Sequence, residues 1–222
     1  MDKVIIIGGK GSAIVVAEQL YDTQVKIGNV EFLGFAFDDE SIDNDINGFP
    51  ILCKTYEVNE KYEKYNDVKF IYQLYRPDIM EERINLLNSY NIRKEKFYTF
   101  IHHSCIVARS AKVGYGTAIM ANSVINPNAV IGSHCTIHSN SLIGHDTHVG
   151  EYNFIAAHNV IGSSSKIGKG NFFGLNSTFN NYIEIGDYNF VGMASNVIKG
   201  LSHGKKVYGN PAKEFFKEIK RL

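Results

Sequence analysis

The sequence predicts a small Rossmann-like α/β sheet followed by a parallel β-helix, and three observations carry that expectation. An apolar side chain recurs every six residues, without interruption, through the second half of the chain. Glycines and small side chains hold fixed places relative to it. The first hundred residues instead alternate strand-like and helix-like runs around a glycine-rich turn.

The repeat starts at Ile101 and passes through Val107, Val113, Ile119, Ile125, Ile131, Ile137, Ile143 and Val149, then on to Val197. That is 17 consecutive Ile, Val or Phe residues with no insertion, which chance does not supply. Strict periodicity over many turns is the mark of a solenoid. The residue after the apolar one is often glycine, as at Gly114, Gly132, Gly144, Gly150 and Gly162, which suggests a tight turn there. Two residues before it a small side chain is the rule, from Cys105 and Ala111 to Ser195, with Ile183 the large exception. Side chains two apart on a strand share a face. Three six-residue faces therefore close a triangular coil in which residues 18 apart stack, a little over five coils between 101 and 197.

Open β-helix ends need covering. Residues 211–222, with Pro211 at the start and Phe215, Ile219 and Leu222 at helical spacing, are expected to form a capping helix after a loop from residue 200. Residues 1–100 form the other domain, and 101–199 the β-helix. In the N-terminal part, Lys3–Ile7, Val30–Phe37, Lys69–Leu74 and Lys96–Ile101 read as strands. Ser12–Tyr21 reads as a buried helix, and Pro77–Tyr90 as an amphipathic one with Met80, Ile84 and Leu87 on its apolar stripe. The turn Gly8-Gly9-Lys10-Gly11-Ser12 joins the first strand to the first helix, where backbone amides suit a phosphate. Its spacing is neither a P-loop nor a full dinucleotide fingerprint. Asp38 and Asp39 follow the second strand, where a carboxylate is able to meet a sugar hydroxyl.

The 222 residues hold 23 basic and 23 acidic side chains, so the chain lacks the positive field of a nucleic-acid binder. Three cysteines are too few for a disulfide framework or a cysteine-rich zinc site. The chain opens into a strand-like run rather than a signal peptide, and no apolar stretch reaches the ~20 residues of a membrane span. A cytoplasmic protein without membrane insertion is the expectation.

VIIIGGKGSAIVVAE (4–18), GFAFDD (34–39), NGFPIL (47–52), the hexapeptides, SNVIKG (195–200) and GNPAK (209–213) together resemble the bacterial sugar O-/N-acyltransferase family. That family includes sialic acid O-acetyltransferases and nucleotide-amino-sugar N-acetyltransferases. The resemblance implies a left-handed β-helix, a homotrimer, and acetyl-CoA bound in the groove between adjacent helices, with no metal. It implies a sugar substrate, nucleotide-linked, held partly by Gly8, Gly9, Lys10, Gly11, Ser12, Asp38, Asp39 and His138. It makes His145 the general base and Asp146 its partner, and assigns Phe154, Ser163, Gly192 and Lys199 to the acyl-CoA, Ser163 through its backbone N–H at the oxyanion.

The chemistry fits those residue types. Attack on a thioester needs a nucleophile relieved of its proton, and histidine, with an ordinary pKa near 6.5, is poised for that. An adjacent carboxylate fixes the tautomer and stabilises the imidazolium. The chain departs from the family at Phe154 and Ser12, where relatives often carry histidines, and at Tyr75-Arg76-Pro77, where relatives often have a Gly-Asp/Asn pair before an Arg. These positions bear on the substrate and the acyl group. Histidine spacing does not suit a γ-type carbonic anhydrase, a metal enzyme on the same β-helix. An O-acetyltransferase acting on a sugar hydroxyl and a non-catalytic assembly module stay open as alternatives.

Overall fold

The computed structural model describes residues 1–39, 41–42 and 44–215. The N-terminal domain is a five-stranded sheet of β1 (Asp2–Ile7), β2 (Val30–Ala36), β3 (Asp45–Ile46), β4 (Phe49–Cys53) and β5 (Val68–Tyr72), in the order β3-β4-β2-β1-β5. β1, β2, β4 and β5 run parallel, and only the β3–β4 hairpin is antiparallel. Helix α1 (Ser12–Ile27) packs Ala13, Val16, Ala17 and Leu20 against the sheet and ends at Gly28, whose φ of 72° stops it. The short α2 (Val58–Tyr62) precedes β5. α3 (Met80–Ser89) buries Met80, Ile84 and Leu87, the stripe read from the sequence. Lys96–Ile101 is not a continuous strand: a 3₁₀ turn at Lys94–Lys96 leads through an isolated bridge from Phe97 to Phe70, and extended pairing resumes at Phe100.

From Phe100 the chain winds into a left-handed parallel β-helix of two-residue strands. Three sheets collect strands 18 residues apart, exemplified by Val124↔Leu142 on the first face, Val130↔His148 on the second and Thr136↔Phe154 on the third. The repeat column from Ile119 to Val197 fills the interior. The small column is buried beside it, and Asn153, Asn159, Asn171 and Asn189 donate or accept hydrogen bonds along the stack. Burial of these amides is tolerated because their polar atoms meet backbone or another amide, apart from Asn159 Oδ1, which has no partner.

The glycines of the repeat serve close stacking rather than the turn. A Cβ on Gly144 would lie 2.5 Å from the Ser163 nitrogen, and one on Gly162 2.6 Å from the Asn180 carbonyl carbon. The left-handed turn falls at a different column, three residues before the apolar position, where Gly116, Asn122, Asn128, His134, Asn140, Asp146, His158 and Asn176 all have φ near 60°. Asn, Asp and His tolerate that conformation better than most side chains, which accounts for the exposed column Asn122, Asn140, His158 and Asn176, 18 residues apart.

At the C-terminal end Pro211 lies in a turn, and Lys213–Glu214 pairs antiparallel with the strand Lys206–Tyr208. The expected helix is therefore a strand where it begins, because Val207 and Ala212 close the core there by sheet extension. The rest of that expectation, residues 216–222, lies outside the described residues. Among the described residues no helix is long and apolar enough to cross a membrane.

Candidate active site

His145 and Asp146 stand on the corner between the first and second faces, both exposed. His145 Nδ1 lies 2.7 Å from Asp146 Oδ2. With that nitrogen donating to the carboxylate, Nε2 keeps its lone pair for a proton. Asp146 has φ 58°, at the left-handed corner, and its other oxygen accepts from Asn128 Nδ2 at 2.9 Å, one coil earlier. The His145 contact, and then Asn128, hold the Asp146 carboxyl below its ordinary pKa, so it is an anion able to orient an imidazolium.

Ser163 and Lys199 share this corner, one and three coils beyond His145, with Asn181 between them. The Ser163 N–H donates to Asn181 Oδ1 at 2.8 Å. The amide expected to bind an oxyanion is thus already engaged by a side chain. Phe154 and Gly192 lie elsewhere. Phe154 belongs to the third face, stacked on Phe172 with centroids 5.0 Å apart and planes at 7°, and Phe172 stacks on Phe190 at 5.4 Å and 3°. Gly192 lines an apolar groove of about 470 Å³ with Phe172, Leu175, Phe190, Met193 and Tyr208.

Phe154 and Phe172 also wall a cleft of about 450 Å³ between the β-helix and the N-terminal domain. Lys10, Gly11, Ser12, Phe37, Asp38, Gln73, Arg76 and Arg83 line its other sides. At its floor a chain of hydrogen bonds crosses from one domain to the other. Ser12 Oγ donates to Gln73 Oε1 (2.8 Å), and Gln73 Nε2 donates to buried Thr136 Oγ1 (2.9 Å). Because the serine proton is spent on Gln73, His138 Nε2, 3.0 Å away, is the donor to Ser12 Oγ. Burial pushes the His138 pKa down to about 4, so its ring is neutral at pH 7.

Several expected contacts are already spent within the protein. Both Asp38 oxygens accept from Thr55, its N–H at 2.7 Å and its hydroxyl at 2.6 Å. Asp39 pairs with Lys10 and accepts from Ser41, and the Lys10 ammonium holds its carboxyl far below the usual range. Gly8 and Gly9 do not line the cleft; their missing Cβ atoms let Gln73 and Phe37 approach, at 2.9 Å and 2.6 Å from where a Cβ would stand. The sequence reading missed Arg83. Its Nε is buried with no hydrogen-bond partner, and its side chain lines the cleft. Arg76 is held by Asp78.

Comparisons with known proteins bear on the whole arrangement. Residues 101–201 match the family described as the GMPPB C-terminal domain. No curated protein sequence matches the chain. Among solved structures, a mutant of perosamine N-acetyltransferase from Caulobacter crescentus, in complex with CoA and GDP-perosamine, is 22% identical with a TM-score of 0.81, the alignment covering 98% of each chain. The acetyltransferase domain of PglB from Neisseria gonorrhoeae is 22% identical with a TM-score of 0.82, over 97% of this chain and 100% of that one. The chain has the fold of these sugar acetyltransferases. WeeI from Acinetobacter baumannii shares it at 18% identity and a TM-score of 0.66, over 97% and 100% of the two chains.

Within this acetyltransferase fold the site residues form two groups. His145, Asp146, Ser163 and Lys199 occupy the corner opposite the third face. Phe154, Phe172, Gly192 and the cleft occupy the third face and its margins. One copy of the chain does not bring them together.

Proposed function

We propose that the protein transfers an acetyl group from acetyl-CoA to the amino group of a nucleotide-linked amino sugar, in surface-glycan biosynthesis in the cytoplasm. The observation that carries the acceptor class is the cleft at the glycine turn, which Arg83, its Nε buried without a hydrogen-bond partner, lines together with Phe37, Phe154 and Phe172. A cationic side chain with an unsatisfied donor at the wall of a cleft suits an anion, and flanking aromatic rings suit a base or sugar face. The solved acetyltransferase bound to CoA and GDP-perosamine has the same fold and supports this reading.

His145 takes the proton from the amine nitrogen as it attacks the thioester carbonyl carbon. The tetrahedral intermediate collapses with loss of the C–S bond, and the CoA thiolate takes the proton back from His145. Asp146 steadies the imidazolium between the two steps. The two groups of residues meet when the His145 corner of one copy faces the third face of the next, and a cyclic trimer closes three such interfaces. Acetyl-CoA then lies in the groove between copies, with Gly192 and Phe154 on one wall and Ser163 and Lys199 on the other.

The test is thiol release from acetyl-CoA with a panel of nucleotide-linked 4-amino sugars, beside His145→Ala. Turnover with one sugar that falls by about 10²-fold or more in the variant is the expected result. Acetyl-CoA binding without turnover of any amino sugar would shift the acceptor to a hydroxyl. No acetyl-CoA binding would remove the enzyme reading.

A further inference from the structure

The acyl-transfer reading leaves unused a cluster where α1 meets the first coil. Asp22 lies near the end of α1, and the tandem His102-His103 follows the strand Phe100–Ile101. His102 Nε2 is 3.2 Å from Asp22 Oδ2, and His103 Nδ1 is 3.8 Å from the same oxygen. The three donor atoms lie within 4.8 Å of one another. The imidazole rings are adjacent, with centroids 4.1 Å apart and planes tilted by 35°.

We propose that Asp22, His102 and His103 bind a divalent transition-metal ion of the zinc class, which staples α1 to the mouth of the β-helix. Two imidazoles and one carboxylate are a donor set such ions prefer. Bonds of about 2.0–2.1 Å in tetrahedral geometry place donors roughly 3.3 Å apart. The distances of 3.2 and 3.8 Å to Asp22, with all three donors inside 4.8 Å, reach that spacing by a shift of about 1.5 Å or less of His103, the more exposed ring. A hydrogen bond from His102 to Asp22 explains two of the three groups but not His103. Its ring nitrogen faces the same carboxylate oxygen, and its other neighbour, Thr23 Oγ1, is 3.5 Å away.

The surroundings hold the ligands from behind. Lys26 Nζ takes the other Asp22 oxygen at 3.0 Å, leaving Oδ2 directed at the rings. Ser104 Oγ lies 2.8 Å from His102 Nδ1. The Ser104 N–H donates to the same Nδ1 at 3.2 Å, so without metal the ring proton sits on Nε2 and points at Asp22. An ion taking Nε2 shifts that proton to Nδ1, where Ser104 Oγ accepts it in place of the N–H contact. The side chain of His102 is 7% exposed, against 25% for His103 and 35% for Asp22, so an ion has both an anchor and a way in, with water as fourth ligand.

The experiment takes the full chain, stripped with chelator, and titrates it with Co²⁺ and Zn²⁺. One equivalent per chain with tetrahedral Co²⁺ visible bands is expected, and zinc should raise the thermal midpoint in proportion to its occupancy. His103→Ala, at an exposed position, and Asp22→Asn should weaken binding by about 10–100-fold, while His148→Ala leaves it intact. Circular dichroism checks that each variant is folded. Absence of stoichiometric binding at tens of micromolar metal, binding indifferent to His103→Ala and Asp22→Asn, or binding lost in His148→Ala would each overturn the proposal.

Discussion

Ser12 Oγ lies 3.0 Å from His138 Nε2, so the glycine turn of the sheet is tied directly to the β-helix wall. The same hydroxyl donates to Gln73, and Gln73 reaches Thr136, which makes a continuous polar chain at the cleft floor. Ser12→Ala strands the Gln73 carbonyl oxygen and the His138 N–H together. The expected cost is about 1–3 kcal/mol in chemical denaturation. If the cleft holds the acceptor sugar, its KM rises more than that of acetyl-CoA. Equal changes in both would separate this network from acceptor binding.

Acid stability follows from buried His134 and half-buried His138. Burial lowers both His134 and His138 to about 4, well below the ordinary value near 6.5. In that window the unfolded chain binds more protons than the native one, so stability rises with pH. The contribution is full above about pH 6.5 and is lost as pH falls towards 4, at up to about 1.4 kcal/mol per pH unit for each ring. Denaturation midpoints between pH 7 and 4 should fall with that slope, and His138→Asn should reduce it. A flat profile across the window would contradict the burial argument.

The β-helix was legible because one signal repeats in every turn: Ile119, Ile137, Ile155 and Phe173 lie 18 apart and stack in the folded chain. The same step carries Asn128 onto Asp146 and Asn181 onto Ser163, so both polar contacts were available to an 18-residue reading. What the repeat does not reveal is which column turns. Glycine after the apolar residue looks like a turn signal, yet it marks backbone stacking, and the left-handed corners belong to Asn122, Asn140 and Asp146. Arg83 had no periodic signature at all. It sits beside Ile84 on an amphipathic helix, where an arginine ordinarily faces water, and only the packing of α3 over the cleft buries its Nε.

Gly162→Ala tests the stacking role of the repeat glycines away from any polar group of the cleft. The added methyl would stand 2.6 Å from the Asn180 carbonyl, a backbone atom that has no rotamer to escape into. Overpacking of this kind typically costs about 1–3 kcal/mol. Val160→Thr, at an exposed strand position two residues earlier, should cost well under 1 kcal/mol by comparison. Thermal or urea denaturation distinguishes them; equal stability of the two variants would show that coil spacing relaxes easily.

Phe172 is the shared wall of the polar cleft and the apolar groove, held in register by Phe154 on one side and Phe190 on the other. If sugar and acetyl-CoA lie on its two sides, Phe172→Ala removes an aromatic contact from both and loosens the ladder between them. A stacking contact is worth roughly 1 kcal/mol, so each KM should rise about fivefold, with kcat falling as the two reactants lose their mutual placement. Phe172→Tyr keeps the ring and should restore both values, because it adds only a hydroxyl at the para position. Steady-state kinetics in each substrate separately decides the matter. A rise confined to acetyl-CoA would leave the groove as a cofactor surface alone and move the acceptor away from the third face.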